Sequence, residues 1–170
     1  MTGHDQLPPA DGLGQLHHLS LSVVDMKKSI TFYKFLCEDL LQYTNLHISD
    51  QHSMWYKFGF GALGISPGNP TVEHNRYNPG LHHLAFAVTS RQEVDAFHDK
   101  IAAFYQKHEG DHKGSFGKIL DPPAEYQYMP KYYAVFFTDP SGFKLELVHT
   151  PPEAYAASSK VEDHVAPKKD

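Results

Sequence analysis

The sequence predicts an α+β protein made of two β-α-β-β-β modules, because one pattern of residues occurs twice along the chain. Residues 18–23 read His-Leu-Ser-Leu-Ser-Val, and residues 83–88 repeat this as His-Leu-Ala-Phe-Ala-Val. Each copy alternates as a strand does and is followed by helically spaced apolar residues, at 26–35 and 94–104. A duplication that repeats a histidine predicts a functional site at the axis relating the two copies.

The first module is predicted to span residues 16–66. Its opening strand covers 16–24, and Asp25 stands at the N-cap of a helix that ends near residues 37–39. Three short apolar-aromatic runs follow, separated by Ser-Asp-Gln and by a glycine-containing turn, and they predict hairpin-linked strands. These runs lie at residues 40–48, 53–58 and 62–66.

A linker at residues 67–79, rich in proline and asparagine, leads to a second module at residues 80–150. A strand at 81–88 precedes a helix that Ser90 caps, with Glu93 three residues later. Residues 107–131 are predicted to be mainly loop, with strand character only at 116–120. Strands at 132–138 and 143–149 close the module as a hairpin across the Asp-Pro-Ser-Gly turn.

The composition narrows the class of partner and the cellular location. The net charge is −5 and the charges are mixed along the chain, so we expect no nucleic-acid partner. No apolar run approaches the roughly 20 residues that span a bilayer, and no leader segment is recognisable at the start. With a single cysteine, Cys37, read as a buried small hydrophobe, we predict a cytoplasmic protein. Residues 1–15 and 151–170 are predicted to be an arm and a flexible tail.

Three residues at comparable strand positions form a candidate metal-binding set: His18, His83 and Glu146. Imidazole and carboxylate suit Mn, Fe, Zn, Ni or Co, and three protein ligands leave positions open for water or substrate. Glu146 also interrupts an apolar strand, where a buried carboxylate needs a cation or hydrogen bonds. A register shift of one residue would replace the two histidines by His17 and His82, although the apolar pattern favours His18 and His83.

These features resemble the glyoxalase/bleomycin-resistance/extradiol-dioxygenase, or vicinal oxygen chelate, superfamily. The resemblance covers about residues 16–150 and is carried by the paired modules, their repeated openings, and the Asp-Pro-Ser-Gly turn followed by the strand that contains Glu146. It implies a glyoxalase-like fold, in which a curved mixed sheet surrounds a metal cavity. It also implies His18, His83 and Glu146 as ligands of one divalent metal, with a fourth ligand position near Gly64 or Ile65.

The fourth ligand position distinguishes members of that superfamily. Residues 60–72 contain no Asp, Glu or His, so a glyoxalase I with four ligands is disfavoured. The remaining set resembles that of the fosfomycin-resistance thiol transferases, and its composition also matches the facial triad of non-haem iron oxygenases. Typical extradiol dioxygenases are longer and keep their ligands in one half. The resemblance implies chelation of vicinal substrate oxygens by the metal, which stabilises an oxyanion or enolate.

Aromatic and basic residues are candidates for the walls of the site. We predict Tyr128, Tyr132 and Tyr133 as catalytic groups that donate to an oxyanion or act as acid and base. The alternative is that the aromatic side chains only pack the sheet. The predicted substrate-binding residues are Trp55, Tyr56, Arg76, Tyr126 and Lys131, and Lys144 is a further candidate cation.

The sequence therefore predicts a divalent-metal-dependent enzyme, a lyase, isomerase, transferase or dioxygenase, that acts on a small oxygenated organic substrate. The main alternative is a metal-free, antibiotic-sequestering protein that binds a small molecule as a dimer. A weaker alternative is a structural domain that binds a protein partner through residues 107–131. A homodimer is expected, with the modules paired within one chain or between two.

Overall fold

The computed structural model of the protein describes residues 16–72, 74–109 and 116–158, with side chains described as far as residue 155. The predicted N-terminal arm, residues 110–115 of the predicted loop and residues 159–170 of the predicted tail lie outside the described residues. The chain divides into two compact units, Met1–His74 and Asn75–Asp170. No helix within the described ranges is long and apolar enough to cross a membrane.

The first unit has the predicted β-α-β-β-β order. Its elements are β1 (His18–Val23), α1 (Met26–Tyr33), a π-helical segment (Lys34–Leu40), β2 (Thr44–Ile48), β3 (Ser53–Lys57) and β4 (Gly61–Pro67). The strands are ordered β1-β4-β3-β2, and β1 runs parallel to β4 while the other pairs are antiparallel. Asp25 caps α1 as predicted, because its side chain accepts a hydrogen bond from the Lys28 backbone N–H at 3.0 Å.

Alternation along β1 determines which face of the first sheet is buried. Leu21 and Val23 are buried, whereas Ser20 and Ser22 are exposed. The buried face holds Trp55 and Ile65, both fully buried, together with Phe32 and Tyr33 from α1. Each such side chain contributes about 1.5–3 kcal/mol through removal of apolar surface from water. The opposite face therefore carries His18, Ser20 and Ser22.

The second unit repeats the order and adds a C-terminal helix. Its elements are β5 (Leu84–Ala87), α2 (Arg91–Lys107), β6 (Ile119–Tyr126), β7 (Tyr132–Thr138), β8 (Lys144–His149) and α3 (Pro152–Ser158). The strand order is β5-β8-β7-β6, with β5 parallel to β8. The paired modules and the α+β class are thus confirmed.

The capping of α2 differs in detail from the predicted capping box. Ser90 Oγ accepts a hydrogen bond from the Glu93 N–H at 3.1 Å, as expected. The Glu93 carboxylate, however, accepts from the Thr89 N–H at 2.7 Å and from the Thr89 hydroxyl at 2.8 Å, one residue before the cap. From the buried face of α2, Val94, Ile101 and Phe104 pack into the core of the unit.

Several element boundaries differ from the sequence prediction. The largest difference is β6, which occupies residues predicted to be loop. It contains Pro122 and Pro123, which the sheet tolerates because β6 is an edge strand whose register with β7 shifts twice. The helix in the first module is prolonged to Leu40 by its π-helical segment, so β2 begins later than predicted. In the predicted tail, residues Pro152–Ser158 form α3.

Candidate functional site

One face of the second sheet collects the polar side chains that the sequence singled out. Glu146 on β8 pairs with Ala85 on β5 and with Phe136 on β7. Since side chains of paired residues share a face and alternate along each strand, His83 and Tyr132 lie on the same face as Glu146. Leu145 and Leu147 are fully buried on the opposite face. The site is therefore built on three neighbouring strands.

Glu146 is the centre of this site. Its side chain is 1 % exposed, and each of its two carboxylate oxygens has a partner. Oε2 lies 3.3 Å from His83 Nε2, and Oε1 accepts a hydrogen bond from the Tyr132 hydroxyl. The Tyr132 contact orients the carboxylate so that its second oxygen faces the histidine. His83 is 37 % exposed, so the pair remains accessible from its histidine side.

The electrostatics of the pair fit a cation better than a salt bridge. Burial raises the pKa of Glu146, although the Tyr132 hydroxyl and the Lys144 ammonium act in the opposite direction. Burial lowers the pKa of His83, and His82 and Lys144 lower it further. Both shifts favour neutral forms, so the two side chains do not supply each other with compensating charge. A divalent cation would supply the positive charge that a buried carboxylate lacks, and this donor set suits Mn, Fe, Zn, Ni or Co.

Adjacent histidines occur at both repeats. His82 Nδ1 lies 2.7 Å from His83 Nδ1, and His17 Nδ1 lies 3.0 Å from His18 Nδ1. The contact with His82 engages Nδ1 of His83 and leaves Nε2 as the nitrogen beside Glu146. Of the two alternative registers for this strand, the structure thus brings His83, and not His82, to Glu146.

The register of the first sheet identifies the counterpart of Glu146. Ser20 pairs with Gly64 across β1 and β4, as Ala85 pairs with Glu146 across β5 and β8. His18 and His83 each precede these pairs by two residues. Gly64 is therefore the position equivalent to Glu146, whereas its neighbour Ile65 is fully buried. Within the described residues no group of three or more His, Cys, Asp or Glu side chains is close enough together to hold a metal ion.

Aromatic side chains surround the carboxylate in the second unit. The Tyr126 ring stacks on Tyr128 at 5.7 Å and packs edge-on against Phe136 at 5.1 Å. The Tyr128 ring also packs edge-on against Tyr132. Tyr126 and Tyr132 are half-buried, and Tyr128 is exposed. These four rings form an apolar surface beside Glu146, which we call the aromatic cluster.

Lys144 adds a positive charge beside the aromatic cluster. Its Nζ lies 3.9 Å from the centroid of the Phe136 ring. Lys144 precedes Glu146 by two residues on β8, so both side chains are on one face. The sequence named Lys144 only as a candidate cation and did not indicate Phe136 at all, although the alternation along β7 places Phe136 on the same face as Tyr132.

Other predicted site residues have partners elsewhere in their units. Trp55 is fully buried, and its indole N–H donates to Glu38 Oε1 at 2.8 Å. Tyr133 faces α2, where its hydroxyl donates to Asp95 at 2.8 Å. Trp55 therefore packs in the core of the first unit, and Tyr133 joins β7 to α2. Neither side chain lines the candidate site.

The remaining predicted substrate-binding residues lie at the surface or on the first sheet. Arg76 hydrogen-bonds the Tyr77 hydroxyl at 2.8 Å, and Lys131 forms an ion pair with Glu153 at 3.0 Å. Tyr56 pairs with Ala62, which pairs with His18, so Tyr56 lies on the histidine-bearing face of the first sheet. The structure therefore brings together His83, Glu146, Tyr132, Tyr126 and Tyr128.

Comparison with known proteins agrees with this architecture. A sequence model of the Glyoxalase/Bleomycin resistance protein/Dioxygenase superfamily matches residues 15–147. The uncharacterized Bacillus subtilis (strain 168) protein YqjT is 28% identical over 135 residues, which cover 78% of this chain and 97% of YqjT. Metallothiol transferase FosB of Lysinibacillus sphaericus (strain C3-41) is 27% identical over 137 residues, 79% of this chain and 81% of FosB.

A solved structure is similar over most of its length. The crystal structure of a provisionally assigned glyoxalase from Bacillus halodurans superimposes with a TM-score of 0.62 at 29% identity. The match covers 81% of this chain and 96% of that chain. The similarity therefore extends over both β-α-β-β-β modules.

Proposed function

This chain belongs to the Glyoxalase/Bleomycin resistance protein/Dioxygenase superfamily, and we propose that it is a divalent-metal-dependent enzyme acting on a small oxygenated organic substrate. His83 and Glu146 would hold the metal, with His18 as the third protein ligand. The observation that carries this proposal is the 3.3 Å approach of His83 Nε2 to the buried Glu146 carboxylate. The relative FosB, which is 27% identical to this chain, is a metallothiol transferase. A metal-dependent relative supports the same conclusion.

The metal, when bound, would act as a Lewis acid that stabilises negative charge on substrate oxygens. Tyr132 then has a positioning role, because its hydroxyl donates to Glu146 Oε1 and leaves Oε2 available. Burial and the Glu146 carboxylate hold the pKa of Tyr132 well above its usual value. Tyr132 therefore keeps its proton at neutral pH and orients the carboxylate instead of acting as a base.

The surroundings of the carboxylate indicate the substrate class. The aromatic cluster offers an apolar surface for a small carbon skeleton, and Lys144 offers a positive charge for an anionic oxygen. We propose a substrate that combines a short apolar portion with oxygens able to reach the metal. Tyr126 and Tyr128 would contact the apolar portion.

The reaction class is proposed from the relatives and from Cys37. Among lyase, isomerase, transferase and dioxygenase activities, the FosB relative favours group transfer that involves a thiol. Cys37 does not supply that thiol, because it is buried and burial raises its pKa. A thiol co-substrate would therefore come from solution. Turnover of candidate substrates with and without added thiol, each under air and under nitrogen, separates transfer from oxygen-dependent cleavage.

Elemental analysis of protein purified without a histidine tag or chelator tests the metal proposal. We expect about one Mn, Fe, Zn, Ni or Co per chain, lost in His18→Ala, His83→Ala and Glu146→Ala with the fold retained. His98→Ala is the matched control, because His98 is a helix-surface histidine that contacts Asp99. Metal content retained in the three variants contradicts the ligand assignment. Absence of metal after reconstitution favours a metal-free small-molecule-binding protein.

We also propose a cytoplasmic homodimer. The buried, unpaired Cys37 is compatible with a reducing compartment. Light scattering with size-exclusion chromatography measures the mass in solution, and the 19.2 kDa mass of a monomer would contradict the dimer.

A further inference from the structure

The first sheet has no carboxylate at the position equivalent to Glu146, but that space is not empty. A Cβ atom added to Gly64 would lie 3.3 Å from Cε1 of His52, 2.7 Å from the Ser20 hydroxyl and 3.5 Å from the Met54 methyl carbon. His52 immediately precedes β3 and extends its ring across β4. An imidazole thus takes up the place that a side chain at residue 64 would fill.

The orientation of this imidazole is fixed from one side. His52 Nδ1 lies 3.1 Å from the Ser66 hydroxyl, and its ring stacks on His47 with centroids 6.3 Å apart. The backbone of His52 is held as well, because its N–H donates to Ser49 Oγ at 3.1 Å. Such restraint on one ring nitrogen is the arrangement that metal-ligating histidines use to present the other nitrogen.

The second ring nitrogen of His52 is available. Among the residues that the structure describes, Nε2 of His52 has no hydrogen-bond partner, and it is bonded to the Cε1 atom that lies over Gly64. Ser20 and Gly64 share this face of the sheet with His18, since His18 precedes Ser20 by two residues on β1. The face therefore presents two histidines, one from a strand and one from a turn.

We propose that His52 replaces the side chain that Gly64 lacks and is a metal ligand on the face of the first sheet that carries His18, bound through Nε2. This inference rests on the proposed function, because it adds one ligand to the metal that His18 is proposed to bind. It also explains why residue 64 is glycine: the ligand reaches the position from the β2–β3 turn, and a Cβ atom would meet the Ser20 hydroxyl and the His52 ring.

Titration of metal-free protein with Co²⁺ tests the proposal by affinity and by visible absorption, which responds to the number and type of ligands. His52→Ala should weaken binding by at least about tenfold, the loss caused by removing even an outer partner of a metal site, and should change the absorption bands. His98→Ala is the matched control. It removes a histidine from the surface of α2, where His98 contacts Asp99, and it should leave both measurements unchanged.

A double variant tests whether His52 and residue 64 share one role. In His52→Ala/Gly64→Glu the imidazole is gone and a carboxylate is introduced at the position equivalent to Glu146, with the Ser20 hydroxyl rotating away. We expect this variant to recover most of the lost affinity. Circular dichroism establishes folding of each variant, and His52→Asn replaces His52→Ala if the alanine variant does not fold.

The outcomes separate this inference from the proposed function. If wild-type protein binds Co²⁺ and the His52→Ala variant matches it in affinity and in absorption, the proposed role of His52 is overturned. The proposed ligands His18, His83 and Glu146 are then unaffected. Wild-type protein that binds no Co²⁺, Mn²⁺ or Zn²⁺ overturns both.

Discussion

Replacement of Glu146 by Gln should stabilise the metal-free protein and abolish its response to metal. The carboxylate is 1 % exposed and burial raises its pKa, so its charged form costs stability in the absence of a cation. Gln keeps the size of the side chain and can still accept the Tyr132 hydrogen bond through Oε1. Exchange of a buried charge for a neutral group of equal size should raise the free energy of unfolding by about 1–3 kcal/mol.

Metal should reverse this order of stability. A ligand at 1,000 times its dissociation constant stabilises the folded state by about 4.1 kcal/mol. Wild-type protein gains this amount and the Glu146→Gln variant does not, so wild-type protein becomes the more stable by about 1–3 kcal/mol. The sign of the difference between the two proteins thus depends on whether metal or chelator is present.

Urea unfolding in chelator and in excess metal measures both effects. Trp55 fluorescence reports on the first unit, in which this only tryptophan of the chain is buried, and circular dichroism reports on both units. Coincident transitions justify a single free energy. Glu125→Gln is the control, because Glu125 is 55 % exposed and pairs with Arg91 at the surface. Two results would refute the reasoning. One is a Glu146→Gln variant that is less stable than wild type in chelator, and the other is a variant that metal stabilises by as much as it stabilises wild-type protein.

Three further predictions test other contacts. Tyr132→Phe removes the donor to the site carboxylate, so metal affinity should fall by about 10–100-fold with the fold retained; equal affinity in a competition titration contradicts this. Trp55→Phe loses the hydrogen bond to Glu38 and leaves a cavity, so the free energy of unfolding should fall by about 2–3 kcal/mol with metal content unchanged; metal loss would contradict its placement in the core. Hydrogen bonds from Thr89 lower the pKa of Glu93, so the ionised carboxylate stabilises the folded state at neutral pH, and this contribution disappears as the pH falls through the lowered pKa. The free energy of unfolding of the Glu93→Gln variant should then be lower than that of wild type by less than about 1 kcal/mol at neutral pH and equal to it in strong acid, as thermal unfolding at each pH measures.

The elements that the sequence predicted well are those with strong local signals. The closing hairpin is found with β7 at its predicted residues, because Asp139 organises the turn: its carboxylate accepts from the Ser141 and Phe143 N–H groups at 2.9 and 2.8 Å. Helices α1 and α2 begin directly after their predicted N-caps, Asp25 and Ser90. Strand β6 was missed because Pro122 and Pro123 normally exclude a strand, and only its position at the sheet edge makes them acceptable.

Prediction of the candidate site was limited in the same way: residues in a repeated or alternating pattern were indicated, and a residue in a turn was not. Repetition and the apolar pattern indicated His83 and Glu146, which the structure brings together. Alternation along β7 places Tyr132 and Tyr133 on opposite faces, so only Tyr132 reaches the carboxylate, and this distinction was available from the sequence. The position of His52 could not be predicted from the sequence, because His52 lies in a turn without periodicity. Its place over Gly64 depends on the pairing of β3 with β4.

Packing explains why the two modules carry different groups at equivalent positions. In the second unit, Ala85 pairs with Glu146 and leaves room for a long side chain, while Tyr132 and His83 supply partners for both carboxylate oxygens. In the first unit, the Ser20 hydroxyl lies 2.7 Å from the place of a Cβ on residue 64, so a side chain there requires Ser20 to move. A duplicated backbone thus provides two equivalent positions: Ala85 leaves space for a carboxylate at one, whereas Ser20 and His52 take up the space at the other.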